Sequence, residues 1–169
     1  MTESTSKILI SACLLGQPVR FDGQSKFVQN TVLQQWNNAG RLVPVCPEVS
    51  GGLPVPRPAA EIQGSADDVL AGMGHVTTKD NGDVSQFFLC GAQHALTLCR
   101  QHNIRIAILK ENSPSCGSTH VPDGSFSGKI IPGEGVTARL LRQNGIRVYS
   151  ENQISEAAAY VDSPAETPV

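Results

Sequence analysis

The sequence predicts a single Rossmann-like α/β domain, a parallel sheet flanked by helices. Three observations lead there. Four short segments are apolar without alternation, as strands buried on both faces are. Segments of helical periodicity separate them. The chain has 169 residues, enough for one well-packed domain and short for two. Residues 1–162 are therefore assigned to one domain and 163–169 to a flexible tail.

In chain order, Lys7–Ala12 is the first predicted strand, Arg41–Val45 the second, Arg105–Lys110 the third and Ile146–Tyr149 the fourth. Val28, Val32, Leu33 and Trp36 share one helical face, with a stop at Asn38-Ala39-Gly40. Asp83–Asn103 is the longest predicted helix, its stripe formed by Phe88, Ala92, Ala95, Leu96 and Cys99. Val136–Asn144, ended by Gly145, and Ile154–Val161 complete the helices. Gly51–Pro58 is a shaped loop, and Ser65–Asp83 is expected to hold a small hairpin around Asn81-Gly82.

Charged residues make up only 17% of the chain and the net charge is −2, with no Lys/Arg cluster, so extended contact with a nucleic-acid backbone is not expected. No apolar run is long enough to cross a bilayer. Ile10-Ser11-Ala12-Cys13 resembles a lipoprotein cleavage site, but only Ile8–Ile10 precede it as an apolar run, and Met1–Lys7 hold Glu3 and a single Lys. A signal peptide needs a longer apolar stretch and a basic start, so a cytoplasmic protein is expected.

The five cysteines are an odd number without a CxxC pair, which argues against a disulfide framework and against a zinc ribbon. Cys13 follows the first strand, Cys46 the second, and Cys116 lies in the loop after the third. In an open parallel sheet the loops at the carboxyl ends converge, so these three can meet. Each alone reads as an ordinary buried cysteine; three at three strand ends read as a set. Cys99 belongs to the apolar stripe. Cys90 lies about half a turn round the same helix, more exposed, with no assigned role. Three thiolates suit either zinc with His120 as fourth ligand or an iron–sulfur cubane with one open iron. His75, His94 and His102 read as surface or structural residues.

Glu48, two residues after Cys46, is placed to serve as a general base. Ser113, three residues before Cys116, can donate to a substrate or close a turn, with Ser115 the less favoured alternative. Arg57 and Glu61, flanking Pro58, are expected to pair; Arg20 and Asp22 read as structural. Gly133-Glu134-Gly135 opens a helix whose amides can hold an anion.

These segments resemble a bacterial family formerly of unknown function, the iron–sulfur-dependent thiouracil desulfidases. The matching residues are Cys13-Leu14-Leu15-Gly16, Arg20-Phe21-Asp22-Gly23, Val45-Cys46-Pro47-Glu48, Gly51-Gly52-Leu53-Pro54, Pro56-Arg57-Pro58-Ala59-Ala60-Glu61-Ile62, Leu109-Lys110, Ser113-Pro114-Ser115-Cys116-Gly117 and Gly133-Glu134-Gly135-Val136-Thr137. The resemblance implies a 4Fe–4S cluster held by Cys13, Cys46 and Cys116, with Glu48 as acid/base and Ser113 as the family's serine. Longer members carry a second domain, which is not expected here.

The expected reaction is hydrolytic removal of sulfur from a thiolated pyrimidine, 2-thiouracil to uracil plus hydrosulfide. The open iron would take the sulfur, through a transient 4Fe–5S state, and the substrate would be a small molecule. The rival reading is a non-catalytic metal-binding or sulfur-carrier protein that uses the same three cysteines.

Overall fold

A computed structural model describes residues 6–161; the expected tail at 163–169 and most of the segment weighed as a leader lie outside the described residues. Four strands form a parallel sheet. They are β1 (Ile8–Ser11), β2 (Leu42–Val45), β5 (Ile106–Leu109) and β8 (Arg147–Ser150), in the order β2-β1-β5-β8. The register pairs Ile8 with Leu42, Leu9 with Ala107, and Ile106 with Arg147. All four predicted strands are present, each with slightly shifted ends.

Helices cover both faces of this sheet, and the central strands show why they read as continuously apolar. Ile8, Ile10, Ile106 and Ile108 pack on one side with Leu33 and Trp36 of α1 (Thr31–Asn38) and Ile154 and Ala157 of α6 (Ile154–Val161). Leu9, Ala107 and Leu109 pack on the other with Phe88, Ala92 and Leu96 of α4 (Ser85–Gln101) and Leu141 of α5 (Val136–Gln143). Alternate residues of one strand enter two separate cores, so both sets must be apolar.

The helix ends have local causes. Asn30 caps α1, its Oδ1 accepting from the amides of Val32 and Leu33 at 2.9 and 3.1 Å. Val28 therefore lies before the helix, contrary to expectation, and its amide bonds the Leu14 carbonyl. Asp83 Oδ1 accepts from Ser85 N at the start of α4.

Between β2 and α4 the chain builds more than the expected hairpin. β3 (Ala60–Gln63) pairs antiparallel with β4 (His75–Thr78), and the two are joined through the short helix α3 (Ala66–Leu70). Asn81-Gly82 forms only a tight turn closed by a Thr77–Asp83 bridge. A second small pair, β6 (His120–Pro122) with β7 (Ile130–Pro132), fills the stretch between β5 and α5.

The helical turn α2 (Pro47–Ser50) lies directly against α4. A Cβ on Gly91 would fall 1.8 Å from the Pro47 carbonyl oxygen, and one on Gly51 would fall 1.9 Å from that of Phe87. Two glycines facing each other's backbone allow this approach, since no side chain fits there.

Candidate active site

The chain leaves β1 toward β2 on one side and later enters β5 on the other side of β1. The carboxyl ends of β1 and β5 thus flank a topological switch point, where open parallel sheets bind ligands. A cavity of about 400 Å³ opens there, lined by Cys13, Cys46, Cys116, Glu48, Ser113 and Ser115 among others. The structure brings together all three sulfurs and both polar side chains singled out from the sequence.

Each sulfur is placed by its own local device. Cys13 sits in a 3-10 turn, Ala12–Leu15, that runs straight on from β1 and ends at Gly16 in the left-handed region, φ +95°. Its carbonyl accepts from Lys26 N at 2.9 Å. Cys46 caps α2, with Pro47 at the first helical position. Its thiol donates to the Val19 carbonyl at 3.7 Å.

The Cys116 loop is held most heavily. Ser113 Oγ accepts from the amides of Ser115 and Cys116, each at 3.2 Å. The Glu111 carboxylate accepts from Ser118 N, Thr119 N and His120 N at 2.8, 3.0 and 3.1 Å, and from the hydroxyls of Ser118 and Thr119 at 2.9 Å each. The amides of Thr137 and Ala138 bond the Ser115 carbonyl, and that of Val136 bonds the Pro114 carbonyl. A Cβ on Gly135 would sit 2.4 Å from the Ser115 carbonyl carbon. The expected anion site at Gly133-Glu134-Gly135 is therefore not free: the first amides of α5 are consumed in fixing the loop that carries Cys116.

Burial pushes the Cys13 thiol up to about 11; the nearby Cys46 adds to the rise, while Arg20 and Lys110 oppose it. Burial pushes Cys116 up to about 12 against hydrogen bonds from Ser115 and Ser11, with Cys46 and Cys13 adding to the rise. Cys46 is raised as well, mainly by burial. Arg20, expected to be structural, lines the cavity together with Lys26, Arg57 and Lys110.

Glu48 is held from two directions. Arg57 Nε donates to its Oε1 at 3.0 Å, and Ser115 Oγ donates to its Oε2 at 2.9 Å. The expected Arg57–Glu61 pair does not form. Arg57 turns inward, also donating to the carbonyls of Pro54 and Val19. Glu61 accepts from the amides of Gly124 and Phe126, tying β3 to the β6–β7 turn. Ser115 is the residue the sequence reading undervalued. Its hydroxyl lies 3.1 Å from Ser113 Oγ and 3.5 Å from Cys116 Sγ as well as on Glu48. Its place next to Cys116 in Ser113-Pro114-Ser115-Cys116 was the available signal.

The other cysteines and histidines lie where the sequence suggests. Cys99 is buried and Cys90 exposed. His75, His94 and His102 are exposed. His120 is exposed too, its Nδ1 on Thr119 Oγ1 at 2.9 Å, and it is not among the cavity residues, so a zinc set completed by His120 has no support.

A three-layer parallel α/β fold with buried sulfurs, an anchored carboxylate and paired hydroxyls at its switch point has the equipment of a thiolate-based enzyme site. The sequence profile of the 2-thiouracil desulfurase family matches residues 8–153, and the chain belongs to that family of enzymes. It is 41% identical over 150 residues to "Uncharacterized protein YbbK" of Bacillus subtilis (strain 168), covering 88% of this chain and 98% of that protein. A solved structure of the 4Fe–4S-dependent thiouracil desulfidase TudS is similar with a TM-score of 0.86 and 49% identity, covering 92% of this chain and 97% of that one. Among the described residues no helix is long and apolar enough to cross a membrane.

Proposed function

We propose that this protein is a cytoplasmic enzyme that removes sulfur from thiolated pyrimidines, converting 2-thiouracil to uracil and hydrosulfide. Cys13, Cys46 and Cys116 would hold a 4Fe–4S cluster, leaving one iron without a protein ligand. The observation that carries the reading is the meeting of three sulfurs and an anchored, non-ligating carboxylate in one cavity. The likeness to a 4Fe–4S-dependent thiouracil desulfidase supports it.

The donor set fits such a cluster. The cavity offers three sulfurs and no imidazole. A lone zinc needs all of its sulfurs at about 2.3 Å from one point. A cubane takes its thiolates at separate corners. Burial keeps the thiols protonated, so loading must release protons. Arg20 and Lys26 line the cavity beside Arg57, which pairs with Glu48, and Lys110, which pairs with Glu151, so carboxylates already meet part of its positive charge.

Bound there, the cluster supplies a Lewis-acidic iron to the thiocarbonyl sulfur. The chain's own residues do the rest. Glu48, held by Arg57 and Ser115, takes a proton from water as that water attacks the ring carbon. Ser113, at the cavity wall, orients the pyrimidine.

The test is purification without oxygen followed by metal, sulfide and product analysis. Iron and labile sulfide of about four each per chain, with uracil released from 2-thiouracil, is the expected result. Stoichiometric zinc without sulfide and without uracil release would overturn it and leave a metal-binding or sulfur-carrier protein.

A further inference from the structure

Ser115 is 2% exposed, yet its hydroxyl touches three groups that bear on the chemistry. Glu48 Oε2 lies at 2.9 Å, Ser113 Oγ at 3.1 Å and Cys116 Sγ at 3.5 Å. Glu48 reaches Ser113 through Ser115, whose hydroxyl bonds both. The loop is fixed so that this link persists. The Ser115 carbonyl is bound by two amides of α5, and the missing Cβ of Gly135 lets that helix close over it. On the far side, Arg57 Nε holds the other Glu48 oxygen. The Ser113 oxygen is in turn held by the amides of Ser115 and Cys116.

We infer that Ser115 is a positioning residue and proton relay that joins Glu48 to Ser113, an inference that rests on the desulfidase reading. The chain Glu48 Oε2–Ser115 Oγ–Ser113 Oγ separates the place where a proton is taken from the place where it is needed. Glu48 takes a proton from water, and the hydroxide oxygen forms the new C–O bond. Glu48 then gives that proton to Ser115 while Ser115 gives its own to Ser113. Ser113 in turn gives its proton to the departing sulfur as the C–S bond breaks. Each hydroxyl gains one proton and loses one. The new hydroxyl on the ring carbon releases its proton to solvent as the carbonyl forms. Thiouracil and water thus become uracil, hydrosulfide and one proton, with no change in oxidation state.

Ser115→Ala removes the link but neither end of it. With iron and labile sulfide matched to wild type, kcat should fall at least about tenfold, less than the roughly 10²–10⁴-fold of a primary acid–base group, while KM stays within about threefold. A double-mutant cycle separates a relay from a merely structural contact. If Ser115 acts through Ser113, the variant carrying both Ser113→Ala and Ser115→Ala is no slower than Ser113→Ala alone. Losses that multiply overturn the inference, as does a Ser115→Ala rate near wild type with a full cluster. Should Ser115→Ala fail to load, single turnovers of the wild type in mixtures of light and heavy water decide. A relay moves several protons together and gives a curved dependence on deuterium fraction, whereas a straight line rejects it. Wild-type protein that releases no uracil sinks the desulfidase reading itself; active wild type beside an equally active Ser115→Ala sinks only the relay.

Discussion

Glu48 carries no bond to a sulfur, yet both of its oxygens are engaged, one by a guanidinium that is 3% exposed and one by a buried hydroxyl. That geometry suits a base that must keep one orientation without joining the ligand set. Glu48→Gln preserves size and removes the proton acceptor. Iron, sulfide and the visible spectrum should remain while uracil release falls at least about a hundredfold; wild-type turnover in this variant would assign water activation elsewhere. Arg57→Met should cost about 2–3 kcal/mol in urea unfolding, because it strands a half-buried carboxylate without its charge partner. The pairing of Arg57 was not legible in the sequence. Spacing across Pro58 suggested Glu61, but the loop folds Arg57 back onto Glu48, nine residues away in sequence. The reach of a long side chain across a loop leaves no periodic trace.

Elements with a period were legible, and those without one were not. The stripe of α4 and the apolar strands follow from burial on known faces. α2, four residues long, has no room to show a period, yet it sets the direction of Cys46 and Glu48. Its seat depends on the contact with Gly91. Gly91→Ala drives a methyl into the Pro47 carbonyl, so thermal unfolding should show a loss of about 2–3 kcal/mol, with reduced iron content in purified protein. Unchanged stability would mean that the two helices separate freely.

The loop carrying Cys116 makes a separate prediction. Burial raises the Glu111 carboxyl, but the amides of Thr119 and His120 and the hydroxyls of Ser118 and Thr119 outweigh it and bring the group down to about 2. A depressed carboxyl stabilises the fold at pH values above its ordinary range and loses that contribution as pH falls toward the folded value. Stability from Glu111 is therefore complete at neutral pH and disappears between about 4.5 and about 2. Glu111→Gln should be less stable than wild type at pH 7, and the gap should narrow on acidification through that window. A gap independent of pH would rule out the carboxylate as the staple.

At the scale of the whole molecule, convergence of Cys13, Cys46 and Cys116 was readable because the carboxyl ends of parallel strands share an edge. The order β2-β1-β5-β8 was not, since parallel partners lie far apart in the chain and leave no local signature of which neighbours which. Cys13→Ala, Cys46→Ala and Cys116→Ala should each purify without a full complement of iron, whereas Cys99→Ala, buried on the other face of α4 from solvent, should keep it. Retention of the cluster in Cys116→Ala would place the metal centre elsewhere.

The position of β5 beside β1 also dictates a schedule for maturation. As the chain emerges N-terminus first, Cys13 and Cys46 can meet once β1 and β2 pair. The third sulfur waits for β5 to dock against β1 and for α5 to clamp the Ser115 backbone. On the proposed ligand set, cofactor delivery follows the docking of β5 against β1. On the same reading, colour in a preparation counts molecules in which β5 has docked, and a nascent chain halted before residue 111 offers a donor machinery only two of the three proposed anchors.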